Sequence, residues 1–410
     1  MDRAELARRL GAEPAVGEPP RRTIIATADP ESFRMAFAAA VAAGGPVFLA
    51  DPHWGARERA QFNALVDQAD AGAADGRGWL MIPTGGSSGR IKLARHDEET
   101  IGAAVAGFAA FFGGRVVNAL GLLPLHHVSG LMAWLRCVLT GGRYVDGDWA
   151  QIAAGEYPEA GDGTILSLVP TQLARLADDP AALAWLRGFK AVFIGGGPTW
   201  PGLIDQAAEA RLPLAFSYGM TETAAMVTAL RPAEFLAGER GAGKDLPHAR
   251  VDVAADGLIT IRSASLFRGY WPESMALGEW SPGDVGAWDK AGNLQVAGRR
   301  DALIITGGEK VNPTEVEDAL RGAGAPADLA VIGLPDERWG EIVVACYRGP
   351  ARIETEERAW GDGLAERLAR FKRPKHFVAI DVWPVSAAGK LDRSQLRELA
   401  RTRIGRATGG

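Results

Sequence analysis

The sequence is poor in cysteine and has no long, purely apolar segment. Cys137 and Cys346 are the two cysteines among 410 residues, and each lies inside an apolar run. Because two isolated thiols show no paired spacing, we expect buried free cysteines in a reducing compartment and not a disulfide. The uncharged run at residues 100–114 is rich in Ala and Gly. It is shorter than the ~20 residues of a membrane span, so it predicts a buried helix, and no membrane span is expected.

A strongly basic block and a metal-binding pattern of histidines are also lacking. Lysine and arginine number 45 against 50 acidic residues, and the net charge is −5. This balance argues against a dedicated nucleic-acid binder. The six histidines show no spacing typical of a zinc site. The first residues, MDRAELARRLGAEP, are charged and lack the apolar core of a secretory signal, so we expect a cytoplasmic protein.

What the sequence does have is the alternation of strands and helices typical of an α/β protein. Buried strands are predicted near residues 48, 166 and 193, with helical apolar spacing between them. From about residue 251, short runs separated by Asp-Gly and Ala-Gly-Asn turns predict antiparallel β structure. A helix is expected to begin after Asn312 as N-cap, with Pro313 in its first turn and Glu315 completing the cap.

These patterns predict one fold class and two domains. The fold class is α/β: a large N-terminal domain of mixed sheets flanked by helices, with a β-barrel-like part, followed by a small, mobile α+β C-terminal domain. The expected boundaries are 1–298 for the large domain, 299–301 for a hinge and 302–410 for the small domain.

One glycine-rich stretch, PTGGSSGRIK at residues 83–92, has the composition of a phosphate-binding loop. Its glycines let backbone N–H groups converge on an anion, its hydroxyl groups can donate hydrogen bonds, and Arg90 and Lys92 add positive charge. The spacing is not that of a Walker A motif. A mobile surface turn has the same composition, so this stretch alone leaves both interpretations open.

A second cluster strengthens the phosphate interpretation. IGGGP at residues 194–198 follows a predicted strand, and its glycines allow a flat ligand to lie against the backbone. Further along, AFSYGMTETAAM contains Tyr218 as a stacking face, Thr221 as a hydroxyl donor and Glu222 as a carboxylate able to hold Mg²⁺. Without a ligand, the same residues fit a glycine turn followed by the start of a helix.

Five motifs in this order resemble the adenylate-forming superfamily of acyl- and aryl-CoA ligases, peptide-synthetase adenylation domains and luciferases. The phosphate loop corresponds to residues 84–92, the Tyr-Gly-x-Thr-Glu motif to residues 218–222, and a ribose-binding aspartate to Asp284. Residues 298–317 match the hinge and the segment after it, and SAAGKLDR contains the C-terminal Lys390. Gly85 stands where Ser is commoner and Ile91 where Pro is usual. The loop also lies unusually early, so a shortened N-terminal region is expected.

The resemblance implies activation of a carboxylic acid by ATP, Mg²⁺ and coenzyme A. The carboxylate attacks the α-phosphate, pyrophosphate leaves, and a thiol then displaces AMP from the acyl-adenylate. The implied catalytic residues are Thr221, Glu222, Lys390 and His127, with Glu222 holding Mg²⁺ and Lys390 bridging the carboxylate and phosphate oxygens. The small domain is implied to rotate about Asp301 before the thiol enters.

The implied binding residues form two groups. ATP contacts Asp284, the phosphate loop and positions around the two later motifs: Thr84, Gly85, Gly86, Ser87, Ser88, Gly89, Lys92, Gly196, Gly197, Pro198, Ser217, Tyr218 and Arg299. The acid and coenzyme A contact a second set: His127, Gly219, Met220, Gly307, Gly308 and Lys310.

The segment at residues 120–145 bears on the identity of the acid. It is most similar to o-succinylbenzoate–CoA ligases of menaquinone and phylloquinone biosynthesis, which act on an aromatic dicarboxylate. His127 is then expected in the acyl and pantetheine region, although His126 and His127 also fit a pair of buried core histidines. Arg136 and Gln172 are candidates for binding the unreacted carboxylate. Another aryl- or fatty-acyl-CoA ligase, or a stand-alone adenylation enzyme that loads a carrier protein, remains an alternative, and a homodimer is compatible with the sequence.

Overall fold

A computed structural model shows a mixed α/β protein built from several sheets with helices packed on them, as predicted. The residues it describes are 1–15, 19–70, 78–85, 91–114, 116–159, 161–197, 199–273, 275, 278–350, 354–365, 367–385 and 391–408. Among the described helices, none is both long and apolar enough to cross a bilayer. Cys137 and Cys346 are both buried and free, as predicted.

The first sheet contains four strands in the order β1-β2-β3-β4. The first three are parallel, and β4 returns antiparallel to β3 as a hairpin. The strands are β1 Thr23–Ile25, β2 Val47–Leu49, β3 Leu80–Gly85 and β4 Ile91–His96. The helices of this part are α1 Arg3–Arg9, α2 Pro30–Ala42, α3 Ala56–Val66 and α4 Glu98–Phe111.

Helix α4 is the buried helix predicted from the uncharged run. Its start is fixed by a reciprocal cap, because Asp97 Oδ1 accepts a hydrogen bond from Thr100 N at 3.0 Å and Asp97 N lies 3.1 Å from Thr100 Oγ1. Its apolar side chains recur at helical spacing and are buried: Ile101, Ala104, Val105, Phe108 and Phe111.

The second sheet contains seven strands in the order β11-β10-β9-β8-β7-β5-β6. The strands from β5 to β9 are parallel, and β10 and β11 are antiparallel to their neighbours. The strands are β5 Asn118–Gly121, β6 Tyr144–Asp146, β7 Thr164–Leu168, β8 Ala191–Ile194, β9 Leu214–Met220, β10 Ala225–Ala229 and β11 Lys244–Asp245. The helices are α5 Val128–Thr140, α6 Trp149–Ala153, α7 Pro170–Leu176, α8 Pro180–Arg187, α9 Pro201–Glu209 and α10 Pro232–Leu236. Because the parallel strands end at one edge, the loops that follow them gather there.

The antiparallel region predicted after residue 251 consists of two strand pairs. They are β12 Ala249–Val253 with β13 Ile259–Ser263, and β14 Asp284–Trp288 with β15 Leu294–Arg299. The predicted turns join them, since Gly257 and Gly292 adopt φ values of +82° and +79° in the Asp-Gly and Ala-Gly-Asn segments.

The C-terminal part forms a sheet of five strands, in which β20 lies parallel to β19. The strands are β16 Ile304–Thr306, β17 Glu309–Val311, β18 Leu329–Asp336, β19 Gly340–Arg348 and β20 His376–Ile380, and the helices are α11 Pro313–Arg321, α12 Glu354–Gly363 and α13 Arg393–Thr408. Asn312 caps α11 as predicted, accepting a hydrogen bond from Thr314 N at 3.0 Å. Glu315 does not complete this cap, because its carboxylate instead binds Lys372 Nζ at 2.6 Å.

Candidate functional site

The carboxyl edge of the seven-stranded sheet brings two of the predicted motifs together. The glycine triad, residues 195–197, follows β8, and Thr221 and Glu222 follow the neighbouring strand β9. A Cβ on Gly195 would lie 3.8 Å from Ser217 Oγ, so the two segments are in van der Waals range. An apolar cavity of about 370 Å³ lies at the opposite edge, at the amino ends of β7 and β8, and contains none of these residues.

Tyr218 and Asp284 connect the second sheet to the antiparallel strand pairs. The Tyr218 hydroxyl donates a hydrogen bond to Asp284 Oδ2 at 2.6 Å, and Tyr218 is 8% exposed. Burial raises the pKa of Asp284 above its ordinary value, although the Tyr218 hydrogen bond and the Arg299 guanidinium act to lower it. Arg299 is the strand partner of Asp284, and its Nη1 lies 4.0 Å from Asp284 Oδ1. Three residues predicted to contact the nucleotide therefore lie together.

Thr221 and Glu222 lie in a 3₁₀ turn, Thr221–Thr223, with an unusual continuation. Ala224 and Ala225, the next two residues, adopt φ values of +50° and +83°, which residues other than glycine rarely do. Gly219 lets the chain fold back closely after this turn, because a Cβ at position 219 would lie 2.0 Å from the Ala225 carbonyl oxygen. Strained backbone of this kind concentrates at functional sites, and here it fixes the direction of the turn.

Glu222, the predicted magnesium ligand, is nearly buried and is fixed by a tyrosine. The Tyr270 hydroxyl donates to Glu222 Oε1 at 2.5 Å, and Glu222 is 7% exposed. Burial raises the pKa of Tyr270, and the Glu222 carboxylate raises it further, so the phenol keeps its proton. Lys92 Nζ lies 4.8 Å from the centroid of the Tyr270 ring. A cation at the end of the predicted phosphate loop and a carboxylate suited to Mg²⁺ thus lie around one tyrosine.

A buried histidine holds the backbone of Thr221. His96 is fully buried, its Nε2 lies 2.7 Å from the Thr221 carbonyl oxygen, and its Nδ1 lies 3.1 Å from Thr100 Oγ1. Since a carbonyl only accepts, Nε2 carries the proton and donates it. Burial lowers the pKa of His96 to about 4, so the ring is neutral near pH 7. Through His96, the capped start of α4 positions the turn that contains Thr221.

The ends of the predicted phosphate loop form the base of a β-hairpin. Thr84 pairs with Lys92, and Gly85 pairs with Ile91. The centre of the loop, residues 86–90, lies outside the described residues. Other predicted site residues outside the described part are Pro198 and Lys390, so the complete set is Gly86, Ser87, Ser88, Gly89, Pro198 and Lys390.

Arg136 is a buried cation with no carboxylate partner among the described residues. It is 3% exposed, its guanidinium lies 4.1 Å from the Phe108 ring centroid, and within the described chain its Nε has no hydrogen-bond acceptor. Burial lowers the pKa of Arg136 to about 10. Burial and the Arg136 charge also lower the pKa of His248 to about 4. Gln172, the other candidate for the second carboxylate, uses its side-chain oxygen to accept from Val169 N at 3.0 Å.

His126 and His127 meet a carboxylate that is distant in the sequence. Asp51 follows β2, and its Oδ1 lies 3.6 Å from His126 Nε2. Burial acts to raise the pKa of Asp51. His126 and the hydrogen bonds from His53 outweigh this effect and hold the pKa of Asp51 well below its usual range. His127 is the residue before α5, and the two adjacent rings have centroids 4.4 Å apart.

The Gly-Gly segment of the C-terminal part forms a tight turn beside an exposed tryptophan. Gly307 and Gly308 join β16 to β17 with φ values of +60° and +84°, and Gly307 N donates to the Trp339 carbonyl at 2.8 Å. Trp339 is 41% exposed, and the charged groups of Arg338 and Lys375 lie 5.2 and 5.5 Å from its ring. This surface suits an aromatic, negatively charged ligand.

The segment predicted as a hinge is held by its own charges. Asp301 lies in a 3₁₀ turn, Arg300–Ala302, and its carboxylate accepts two hydrogen bonds from Arg299 at 2.7 and 2.9 Å. Beyond it, Arg321 of α11 lies 5.2 Å from the ring of Trp200, close in sequence to the glycine triad. The C-terminal part therefore contacts the edge of the second sheet on which the predicted site residues gather.

Sequence reasoning missed several of these residues. Tyr270 is brought to Glu222 by an isolated bridge to Ala94, a long-range pairing that no local pattern signals. His96 could have been noticed because it directly precedes the capping pair of α4. Two predicted positions remain. Met220 is the last residue of β9, and Lys310 lies within β17.

Two family models match this chain. The model described as AMP-binding enzyme matches residues 79–271, and the model described as AMP-binding enzyme C-terminal domain matches residues 315–390. The first segment contains Lys92, Glu222 and Tyr270, and the second ends at Lys390.

Curated relatives match the same region. A 2-succinylbenzoate–CoA ligase of Geobacillus kaustophilus (strain HTA426) is 33% identical over 296 residues, which cover 68% of this chain and 60% of that protein. The ligase of the same name from Listeria monocytogenes serovar 1/2a is 32% identical over 287 residues, covering 67% of this chain and 60% of that protein. The matched segment thus spans less than two thirds of either relative.

Solved structures share the fold. The o-succinylbenzoate–CoA synthetase of Bacillus subtilis, in complex with its acyl-adenylate intermediate, has a TM-score of 0.76 at 24% identity and covers 96% of this chain and 91% of that one. ATP-bound MatB of Rhodopseudomonas palustris has a TM-score of 0.75 at 22% identity and covers 97% of this chain and 91% of that one. Family models, relatives and fold agree with the five motifs, and the chain belongs to the AMP-binding enzyme family.

Proposed function

We propose that this chain is an AMP-forming ligase that uses ATP to join o-succinylbenzoate to coenzyme A, as in menaquinone or phylloquinone biosynthesis. The observation that carries the activity is the grouping of Lys92, Tyr270 and Glu222 beside the bonded pair Tyr218 and Asp284. The names of the relatives support the choice of acid. We place the reaction in the cytoplasm, where buried thiols stay reduced.

In this proposal each part of the site binds one part of ATP. Asp284 accepts hydrogen bonds from the ribose hydroxyls, and Thr221 donates to the α-phosphate. Lys92 and the glycine-rich loop hold the β- and γ-phosphates. Glu222 would hold Mg²⁺, and its buried carboxylate beside the Tyr270 donor fits an oxygen-preferring cation. When bound, the ion neutralises charge on the phosphates.

The first half-reaction forms a mixed anhydride. A carboxylate oxygen of the acid attacks the α-phosphorus of ATP, a new P–O bond forms, and the bond to the β-phosphate oxygen breaks as pyrophosphate leaves. Negative charge builds on the α-phosphate oxygens during this step, so cations placed around them accelerate it. We assign this role to Lys390, which would bridge the acid and the phosphate.

In the second half-reaction the coenzyme A thiol must enter the space that Lys390 occupies in the first. The coenzyme A thiolate attacks the carbonyl carbon, a C–S bond forms, and the C–O bond to AMP breaks. We propose that residues 302–410 turn about the 299–301 hinge relative to residues 1–298, which withdraws Lys390 and presents the Gly307–Lys310 hairpin to the pantetheine. The exposed ring of Trp339, with its two neighbouring cations, suits the nucleotide end of coenzyme A.

Arg136 supports a dicarboxylic acid as the substrate. A buried guanidinium without a counter-ion is strongly unfavourable, and an anionic ligand group would compensate it. The proposal places the unreacted carboxylate of the acid against Arg136. Replacement by Met, Arg136→Met, should then reduce kcat/KM for o-succinylbenzoate by at least about 100-fold, the effect of losing a buried charged hydrogen bond. An analogue lacking one carboxylate should lose far less.

The decisive measurement is pyrophosphate release across a panel of carboxylic acids, with and without coenzyme A. The proposal expects strong release and thioester formation with o-succinylbenzoate. Activity with fatty or simple aryl acids but none with o-succinylbenzoate would overturn the substrate, and turnover that requires a carrier protein instead of coenzyme A would overturn the acceptor.

A lysine variant separates the two half-reactions. Lys390→Ala should abolish pyrophosphate release but leave thioester formation from supplied acyl-adenylate close to wild type, because the cation acts in the first step only. Lys290→Ala, which removes an exposed lysine in a turn, is the matched control and should leave both unchanged. Equal loss of both half-reactions in Lys390→Ala would contradict the proposed exchange.

A further inference from the structure

We propose that Asp51, His126 and His127 form a binding site for a late first-row divalent metal ion of the Zn²⁺ type. One carboxylate and two imidazoles each offer one ligand atom, and these three atoms lie within 4.8 Å of one another. This donor set is the one that Zn²⁺ uses in sites with three protein ligands. Mg²⁺ and Ca²⁺ prefer oxygen ligands, so the site is chemically distinct from the Glu222 position.

The spacing of His126 and Asp51 fits two ligands of one ion better than a hydrogen bond. His126 Nε2 lies 3.6 Å from Asp51 Oδ1, beyond the 2.7–3.2 Å of an N–H···O bond. Two atoms that each lie about 2.0–2.2 Å from a shared ion are separated by roughly 3–3.6 Å. The gap is therefore close to the width that an ion between them requires.

The nitrogen of His126 that faces this gap is buried and has no hydrogen-bond partner among the described residues. The His126 side chain is 3% exposed, and its Nε2 has no acceptor or donor within the described chain. A buried polar atom without a partner is destabilising, and coordination of an ion would satisfy it. This observation points to a ligand independently of the clustering itself.

The backbone brings the two histidines to the same side. Adjacent residues on a strand point in opposite directions, but His126 and His127 lie where the chain turns into α5, and their ring centroids are 4.4 Å apart. Asp51 is oriented by His53, whose backbone N donates at 2.9 Å to Oδ1, the same oxygen that faces His126. Outer contacts of this kind are typical of metal-binding carboxylates.

The charges of the site suit a dication. As metal ligands, two imidazoles and one carboxylate would carry a single negative charge, and Asp51 is 6% exposed. A Zn²⁺ ion held by three protein ligands keeps at least one position for water or a ligand oxygen. His127 is also implied to contact the acid, but metal binding by the three residues can be tested without any substrate.

Metal binding to the full-length protein provides the test. Protein freed of metal by a chelator is titrated with Zn²⁺ against a coloured competing chelator, and with Co²⁺ while visible absorption is followed. Wild type should bind one equivalent tightly, and Co²⁺ should give the intense visible bands of a four- or five-coordinate ion. Asp51→Asn and His126→Gln should each weaken Zn²⁺ binding by at least about 100-fold, more than the loss of an outer contact.

A matched control is His376→Gln, which removes an exposed histidine of β20 and should bind Zn²⁺ like wild type. Thermal unfolding of each metal-free variant shows whether it is folded, and the two variants remove different ligands, so the failure of one to fold leaves the other. Absence of a tight equivalent in wild type, binding unchanged in the folded variants, or a weak six-coordinate Co²⁺ spectrum would each overturn the proposal.

Discussion

Acid should destabilise this protein through His96. The ring is fully buried, and its pKa is lowered from 6.5 to about 4 because burial disfavours the charged form. Between these two pH values the unfolded chain binds a proton that the folded chain does not. The stability contributed by a neutral His96 is therefore fully present above pH 6.5 and is lost as the pH falls toward 4. A pKa difference of this size corresponds to about 3 kcal/mol in the free energy of unfolding.

Other groups also titrate in this range, so a variant is needed to isolate His96. His248, whose pKa is about 4, contributes in the same direction. His96→Gln removes the titrating ring while a side-chain amide can still donate to the Thr221 carbonyl. We expect this variant to be less stable than wild type near pH 7, by about 1–2 kcal/mol from lost packing. Its stability should then fall less steeply with acid.

The assay is urea unfolding followed by tryptophan fluorescence, since the chain contains 12 tryptophans. The free energy of unfolding is measured from about pH 7 to about pH 4.5, the range in which the linkage acts. The wild-type and His96→Gln curves should converge as the pH falls, and His376→Gln, which removes an exposed histidine, should stay parallel to wild type. Parallel wild-type and His96→Gln curves would refute the reasoning.

Two further changes test the site geometry. Tyr270→Phe removes the donor to Glu222, a hydrogen bond to a charged group, and should raise the Mg²⁺ concentration for half-maximal pyrophosphate release by roughly tenfold. Tyr157→Phe, which removes a hydroxyl bonded to a different carboxylate, should leave that concentration unchanged. Gly219→Ala forces a methyl group to within 2.0 Å of a carbonyl oxygen and should lower the free energy of unfolding by about 1–3 kcal/mol. Gly197→Ala meets no atom within 4 Å and should cost less than about 0.5 kcal/mol; a similar loss in both would contradict the crowding at Gly219.

Features that depend on neighbouring residues in sequence could be predicted well. The N-cap at Asn312, the buried helix α4 and the strands that precede the glycine triad all follow from short-range periodicity and capping chemistry. The fold class is confirmed for the same reason, because alternating strands and helices restrict the possible layers. The resemblance to the adenylate-forming superfamily added predicted roles for residues that no local pattern could indicate.

Features that depend on long-range packing could not be predicted. The contact of Tyr270 with Glu222 and that of Asp51 with His126 join segments that meet only in the folded chain. Glu315 shows the same limit on a smaller scale, since a tertiary ion pair with Lys372 replaced the local cap that its position favours. The histidine spacing could not indicate the grouping of Asp51 with His126 and His127 either, because it considers only residues that are close in sequence.

The turn after Glu222 also restricts which mutations this protein can accept. Ala224 and Ala225 both occupy left-handed backbone, and Ala224 is 1% exposed. Side chains branched at Cβ are disfavoured there by local strain, and large ones at position 224 by the surrounding core. Selection from a library randomised at these two codons should return glycine, alanine and asparagine and reject valine, isoleucine and threonine. Backbone geometry would thus constrain these two positions in evolution independently of any contact with a ligand.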